Sequence, residues 1–301
     1  MSDTMRGAWA SASQVAAAKR WARVRRTVVK VLSHILLVAG SVIMVTPLLW
    51  LLSTSLKKMG TEFVYPPQWI PNPIAWENYW KFSEQLPVPF YRYFANTLFI
   101  TVTASLGTVL TSSLAAFAFA RLRFWGRQTL FFVVISTMLL PGIVTLIPTF
   151  LHFKQLRGLN SPLPLTVPYY FGGTAFSIFL MRQFFMTLPL ELDEAARIDG
   201  ASSFLIYARI IVPLAQPVLA TVAIFQVLSH WNDFLAPLIY LNSLPKYTMA
   251  LALRTFQNTR GQRVSYLMAA SAIQILPVII LFFAAQKYFV QGIQLTGLSG
   301  R

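Results

Sequence analysis

The chain has 301 residues, of which 11% are charged, 56% hydrophobic and 14% aromatic. A soluble domain carries roughly a quarter charged residues, and so few charges cannot cover a water-facing surface of this size, so an ordinary soluble enzyme is excluded. Cysteine is absent, which removes disulfides, thiol catalysis, iron–sulfur clusters and cysteine-ligated zinc, and in so apolar a chain the net charge of +16 reads as topology anchoring at a membrane rather than as a nucleic-acid surface.

Residues 1–30 carry Arg6, Lys19, Arg20, Arg23, Arg25, Arg26 and Lys30 against one acid, Asp3. They read as a solvated tail or as a short amphipathic helix on anionic lipid. The apolar run that follows is too long for the core of a signal peptide and ends at no clear cleavage site. A membrane-crossing helix needs roughly 20 mostly apolar residues. Six windows supply them: 31–52, 94–119, 129–150, 163–182, 214–241 and 266–289. Tyr169, Tyr170, Gly172 and Gly173 interrupt the fourth. Pro47, Pro141, Pro148, Pro217, Pro237 and Pro277 lie inside the windows, as kinks whose freed carbonyls neighbouring helices satisfy or as helix ends.

Between the first two windows, the stretch 57–93 is dense in proline and aromatics, including Pro66, Pro67, Trp69, Trp76 and Trp80. That composition suits a compact loop packed at the membrane interface. Arg121, Arg123 and Arg127 follow the second window, Arg182, Arg197 and Arg209 surround the loop between the fourth and fifth, and Lys287 and Arg301 close the chain. All fall on the side of the basic tail, so both termini are expected in the cytoplasm. Lys246, Arg254, Arg260 and Arg263, between windows five and six, run against this. The expectation is an all-α membrane protein of six transmembrane helices, with a tail at 1–30 and a membrane domain at 31–301.

Only nine acids exist, and four of them, Glu191, Asp193, Glu194 and Asp199, fall in one predicted cytoplasmic loop, 187–213. Pro189 suits a first helical turn, the acids complement the positive N-terminal end of a helix, and Gly200 can take the left-handed conformation that stops one. Ser202 or Ser203 can cap a second helix running toward Pro213. Leu192, Ala195, Ala196 and Asp199 share a face by helical spacing, and small alanines there let another surface approach. So short a helix is marginal alone, so it is expected to dock into a groove; the plain alternative is a solvated surface helix.

Glu194-Ala195-Ala196, then Gly200, then Ile210-Ile211-Val212-Pro213 resemble the signature loop of permease subunits in bacterial ATP-binding-cassette importers, whose usual ending is Ile-x-Leu-Pro, so Val212 departs from it. Pro47-x-x-Trp50 with Ser53–Lys57, Trp76-Glu77-Asn78-Tyr79, Asn96-Thr97, the run 115–121 ending in Arg121, Trp231-Asn232-Asp233-Phe234 and the tail 286–292 resemble the sugar-importer branch, of the maltose-transporter type with two different permeases. That resemblance implies the type I importer fold in a bacterial inner membrane. It also implies a second permease, two ATPase subunits and an extracytoplasmic sugar-binding protein as partners. The first loop helix would be the coupling helix in a cleft on the ATPase. Glu194 would supply a charged contact, Ala195 and Ala196 the close approach and Gly200 the turn, with Asp199, Ala201 and Pro213 in the same coupling set. The tail ends Gly297-Leu298-Ser299-Gly300 and lacks the lysine common in the family.

No phosphate-binding loop is present, since no glycine is followed by lysine, so the chain is expected to bind no cofactor, ATP and Mg being used by the partner ATPase. His34, His152 and His230 are far apart and no metal site is expected. Asp233, the only acid in a window, is either a contact in the translocation path or a hydrogen-bonded lock between permeases. Asn96, Gln226, Trp231 and Asn232 are the residue types that hold sugars. The leading reading is a permease subunit of a carbohydrate importer with no enzymatic activity of its own. A self-sufficient secondary transporter or channel is the alternative, although the inverted repeat and mid-membrane carboxylates of such proteins are not evident.

Overall fold

The computed structural model describes residues 3–258 and 263–297, and among these no strand is formed. Arg260, Arg301 and the tail residues Leu298, Ser299 and Gly300 lie outside the described residues. Helix α1 (Asp3–Ser55) runs unbroken for 53 residues, so the basic segment and the first apolar window are one rod. A loop with the short α2 (Asn78–Glu84) leads to α3 (Phe90–Arg121). Then come α4 (Arg127–Ser136), α5 (Gly142–Gln155), α6 (Leu163–Thr166) and, after a tight turn over Val167–Tyr170, α7 (Ala175–Thr187). The signature loop forms α8 (Glu191–Ile198), α9 (Ser203–Ile206), a wide π-type turn at Tyr207–Ile211 and α10 (Val212–Leu214). The chain closes with α11 (Gln216–Trp231), α12 (Leu235–Tyr240), α13 (Met249–Asn258) and α14 (Val264–Gly297).

Three stretches are single helices long and apolar enough to cross a membrane: Val24–Ser55, Phe90–Arg121 and Val264–Gln286. Of the other expected spans the third and fifth are bent, while the fourth, Leu163–Thr187, turns by 77° only beyond its end, into Glu191–Ile198. Arg127–Leu139 and Gly142–Gln155 meet at 98°, with Pro141 at the break, so this proline ends a helix rather than kinking one. Proline disfavours helical backbone in the residue before it, and Leu140 is accordingly extended. The fifth window begins at a 79° bend between Ser203–Leu214 and Gln216–Trp231, and breaks again at residues 232–234. Pro217 lies in the first turn of α11, where its missing N–H leaves no bond unmade. Pro47, Pro148 and Pro277 remain inside helices.

Helix α3 is the central post, packed along α7 and α11, with α14 against α1 and α11. Its inward face is small: Ala104, Gly107, Thr108, Ser112 and Ala116 are buried. Small residues let helix backbones approach in a membrane bundle. A side chain at Gly107 would come within 2.7 Å of the Tyr170 ring, whose hydroxyl donates to Thr103 O at 3.0 Å. Two apolar clusters sit at the two ends of this post. One gathers Phe82, Phe90, Tyr93, Trp231, Met249 and Tyr266; the other gathers Phe117, Phe185, Ile206, Tyr207, Ile211 and Val222.

The first cluster carries the loop 57–89. Asn78 donates to Ser55 O and Lys57 O, both at 2.8 Å. Glu62 accepts from Gly60 N–H and from the Ser265 hydroxyl, both at 2.7 Å, and so ties the loop to the start of α14. The buried Lys57 ammonium lies 4.1 Å from the centre of the Trp50 ring and donates to Glu62 O. Burial pushes it below the ordinary lysine value, and the charge of Glu62 partly restores it.

Candidate functional site

Helix α8 begins after the extended Leu188 and Pro189, with Glu191, Asp193 and Glu194 in its first turn, where the helix dipole favours negative charge. It starts two residues after Pro189, which precedes the helix rather than opening it. It stops at Gly200, whose φ is +80°. Gly200 N–H donates to Arg197 O at 3.0 Å and Ala201 N–H to Ala196 O at 2.9 Å, the paired bonds of a left-handed helix stop. A Cβ at Gly200 would meet nothing within 4 Å, so backbone conformation alone calls for glycine here. Ser202, not Ser203, caps the next helix by accepting from Leu205 N–H at 3.3 Å. Pro213 lies in α10, exposed, just before the 79° bend into α11.

The faces of α8 divide differently from the spacing argument. Leu192, Ala195 and Asp199 are exposed, as are Glu191, Glu194 and Ile198, the last 86% so. Ala196 and Ala201 instead pack against the second apolar cluster. Ala195 and Ala196 therefore point to different neighbours: 100° of rotation per residue carries Ala196 under the helix. Asp193 separates from the other three carboxylates and is 4% exposed. It faces Arg121 at the end of α3, with Nη1 3.8 Å from Oδ2. Arg121 Nη2 also donates to Phe185 O and Leu188 O, both at 2.8 Å. Behind α9, the Tyr207 hydroxyl meets Ser113 Oγ at 2.6 Å and its ring tilts on Phe117. The exposed surface of the unit is apolar as well as acidic, with Phe204 69% exposed in addition to Ile198.

The five residues expected along a path or at the permease interface are placed as follows. Asn96 donates to Pro245 O at 2.9 Å and Tyr247 O at 3.0 Å, pinning the segment after α12 to α3. Gln226 is buried and donates to Ser177 Oγ at 3.2 Å. Trp231 is buried, its ring edge-on to Phe94 and its indole N–H on Gln274 O at 3.0 Å. All three work within the bundle. Asn232 is exposed and donates back to Leu228 O at 2.9 Å, and Asp233 sits in the break between α11 and α12, accepting from Ala236 N–H at 3.3 Å. Asp233 thus caps α12 within this chain. His230, one turn before, is buried edge-on to Tyr169 at 4.5 Å.

Two residues escaped the sequence reading. Arg121 belonged to a recognised run, but nothing marked Asp193 as its partner. Asn160 is a hub: its side-chain oxygen accepts from Asn242 and Ser243 N–H, both at 3.1 Å, and its carbonyl accepts from Lys246 Nζ at 2.6 Å. Its φ of +54°, unusual for a residue other than glycine, goes with this turn.

Residues 107–295 match the family described as binding-protein-dependent transport system inner membrane component. The chain is 29% identical over 258 residues to the diacetylchitobiose uptake system permease protein NgcG of Streptomyces coelicolor, covering 85% of this chain and 84% of that one. It is 31% identical over 248 residues to the arabinooligosaccharides transport system permease protein AraQ of Halalkalibacterium halodurans, covering 82% and 86%. The maltodextrin transport system permease protein MdxG of Bacillus subtilis is 33% identical over 214 residues, covering 70% and 76%. Among solved structures, a chain of a bacterial ABC transporter involved in the import of the acidic polysaccharide alginate superposes with a TM-score of 0.76 at 24% identity, over 87% of this chain and 96% of that one, which shows the fold.

Proposed function

Since the chain belongs to the inner membrane components of binding-protein-dependent transport systems, we propose that it is a permease subunit of an ATP-driven carbohydrate importer. It is a multi-pass inner membrane protein. Its relatives' names carry diacetylchitobiose, arabinooligosaccharides and maltodextrin, which supports a carbohydrate as cargo. In this reading it crosses the membrane six times, Arg127–Leu139 and Gly142–Gln155 counting as one span and α8 and Ser203–Leu214 lying in the cytoplasmic loop outside the spans, with both termini in the cytoplasm. It lines the path together with a second, different permease. Two ATPase subunits bind ATP and Mg, and an extracytoplasmic binding protein delivers the sugar to the loops 57–93 and 242–263.

Helix α8 is the coupling element. The observation that supports this most is its division of labour: Glu191, Glu194, Ala195, Ile198 and Asp199 face outward, while Asp193 and Ala196 anchor it to the bundle. ATP binding closes the ATPase dimer, the cleft carries α8 with it, and the bundle swings between inward-open and outward-open states. The chain itself makes and breaks no covalent bond. A self-sufficient transporter is not favoured, because the family is one component of a larger system.

The absence of cysteine makes a clean test possible. Ala195→Cys introduces the sole thiol of the chain. A bifunctional cross-linker should join it to an ATPase subunit, with a yield that changes on adding ATP. A membrane-impermeant thiol reagent should reach it from the cytoplasmic side only. Labelling from outside, or failure to capture any ATPase, refutes the reading.

A further inference from the structure

We propose that Arg121 is the joint through which α8 moves the inner end of α3. This rests on the reading of α8 as the coupling helix and concerns how its motion enters the bundle. The link between α7 and α8 is three residues, Leu188–Leu190, and the two helices diverge there by 77°. So short a link between helices of different direction is where a push on α8 would be taken up by backbone torsion. Arg121 bridges that link. Its Nη2 holds one carbonyl before it, Phe185 O, and one at it, Leu188 O; its Nη1 faces the carboxylate beyond it, Asp193. Both carbonyls belong to the C-terminal end of α7, where partial negative charge collects and a cation is favoured.

The pair is buried, with side-chain exposures of 1% and 6%. A buried ion pair is poor glue, since well-packed apolar residues often stabilise as much. Its use is to fix a geometry. Here the Nη1–Oδ2 separation is 3.8 Å, that of an ion pair, where a direct charge-assisted bond spans roughly 2.7–2.9 Å. Among the described residues, Arg121 Nε and Asp193 Oδ1 have no hydrogen-bond partner. A movement of α8 toward α3 of about 1 Å brings Nη1 and Oδ2 within bonding distance. Because one guanidinium holds the end of α7 and faces α8 at once, α8 cannot shift without loading the ends of α3 and α7 together. Glu191, Glu194 and Asp199, which are exposed, remain free for the ATPase.

The test uses the assembled transporter in proteoliposomes, with Asp193→Asn, Asp193→Glu and Arg121→Lys each carried on the Ala195→Cys chain. Three quantities are read: cross-linking to the ATPase, ATP hydrolysis with binding protein and sugar, and sugar imported per ATP. Asp193→Asn should keep cross-linking and hydrolysis within about twofold while sugar per ATP falls about tenfold, the scale of a typical coupling energy. Asp193→Glu should recover most of the ratio. Arg121→Lys keeps a charge but not the fork, and should also lower the ratio. An unchanged ratio in Asp193→Asn overturns the proposal, as does a loss of cross-linking, hydrolysis and import in equal proportion. If Asp193→Asn fails to assemble, an unchanged ratio in Arg121→Lys overturns it and a lowered ratio supports it. Absence of cross-linking in the Ala195→Cys parent refutes the coupling reading itself; cross-linking with unaltered ratios refutes only the joint.

Discussion

Replacing Gly200 by alanine isolates one physical quantity, the cost of a left-handed backbone. The residue stands at φ +80°, and an added Cβ meets no atom within 4 Å, so no clash enters. For an L-residue with a side chain that conformation costs roughly 1–2 kcal/mol. The turn is held by two backbone bonds, Gly200 N–H to Arg197 O and Ala201 N–H to Ala196 O. Each contributes a net of about 0.5–1.5 kcal/mol, so the strain nearly cancels what closes the turn. A change of that size shifts the formed-to-open ratio about 5–30-fold. With the turn open, α8 loses its fixed direction relative to α9 and the bundle. We expect Gly200→Ala to insert and assemble but to import sugar about fivefold more slowly at equal ATP hydrolysis. Gly200→Asn should stay within about twofold of the parent, because asparagine tolerates the left-handed region. Uptake and hydrolysis in proteoliposomes measure both. Normal import by the alanine variant would refute the reasoning, and so would equal failure of the asparagine variant, which would show that something other than backbone conformation is at stake.

Ile198 is 86% exposed, so Ile198→Glu should leave membrane insertion intact while reducing co-purification of the ATPase, a buried isoleucine contributing about 1.5–3 kcal/mol to an interface. Asp233→Ala removes the cap on α12 and should lower thermal stability in detergent by about 1 kcal/mol, whereas Asp233→Asn keeps the cap; if transport fails equally in both, the charge itself acts in the path or between permeases. Trp231→Phe keeps the ring against Phe94 but loses the bond to Gln274 O, so it should cost about 1 kcal/mol of stability with sugar specificity unchanged, read by thermal unfolding and by competition among sugars.

Asn96, Gln226 and Trp231 show the limit of reading sites from residue type. Polar and aromatic side chains inside apolar windows are what a sugar site needs, but they are equally what a bundle needs to satisfy buried backbone groups without water. Asn96 serves Pro245 O and Tyr247 O, and Trp231 serves Gln274 O. Asp233 draws notice as an acid inside an apolar window and Asn232 as a sugar-binding residue type; both lie where the helix breaks. The break is local in sequence, but the apolar run continues across it, so hydropathy passes over it.

What the amino-acid order determined alone is what depends on near neighbours or on totals. Apolar windows, the stop at Gly200 and the serine cap on α9 all arise from contacts within about five residues or from composition, and these were legible without coordinates. The split of the four loop acids into three outward and one inward was not, because it depends on where Arg121 lies, and that is set by the packing of α3 against α7. The tie of Glu62 to Ser265 and the hub at Asn160 belong to the same class. A polar side chain selects its partner only after the helices have come together, when burial has made an unpaired group costly.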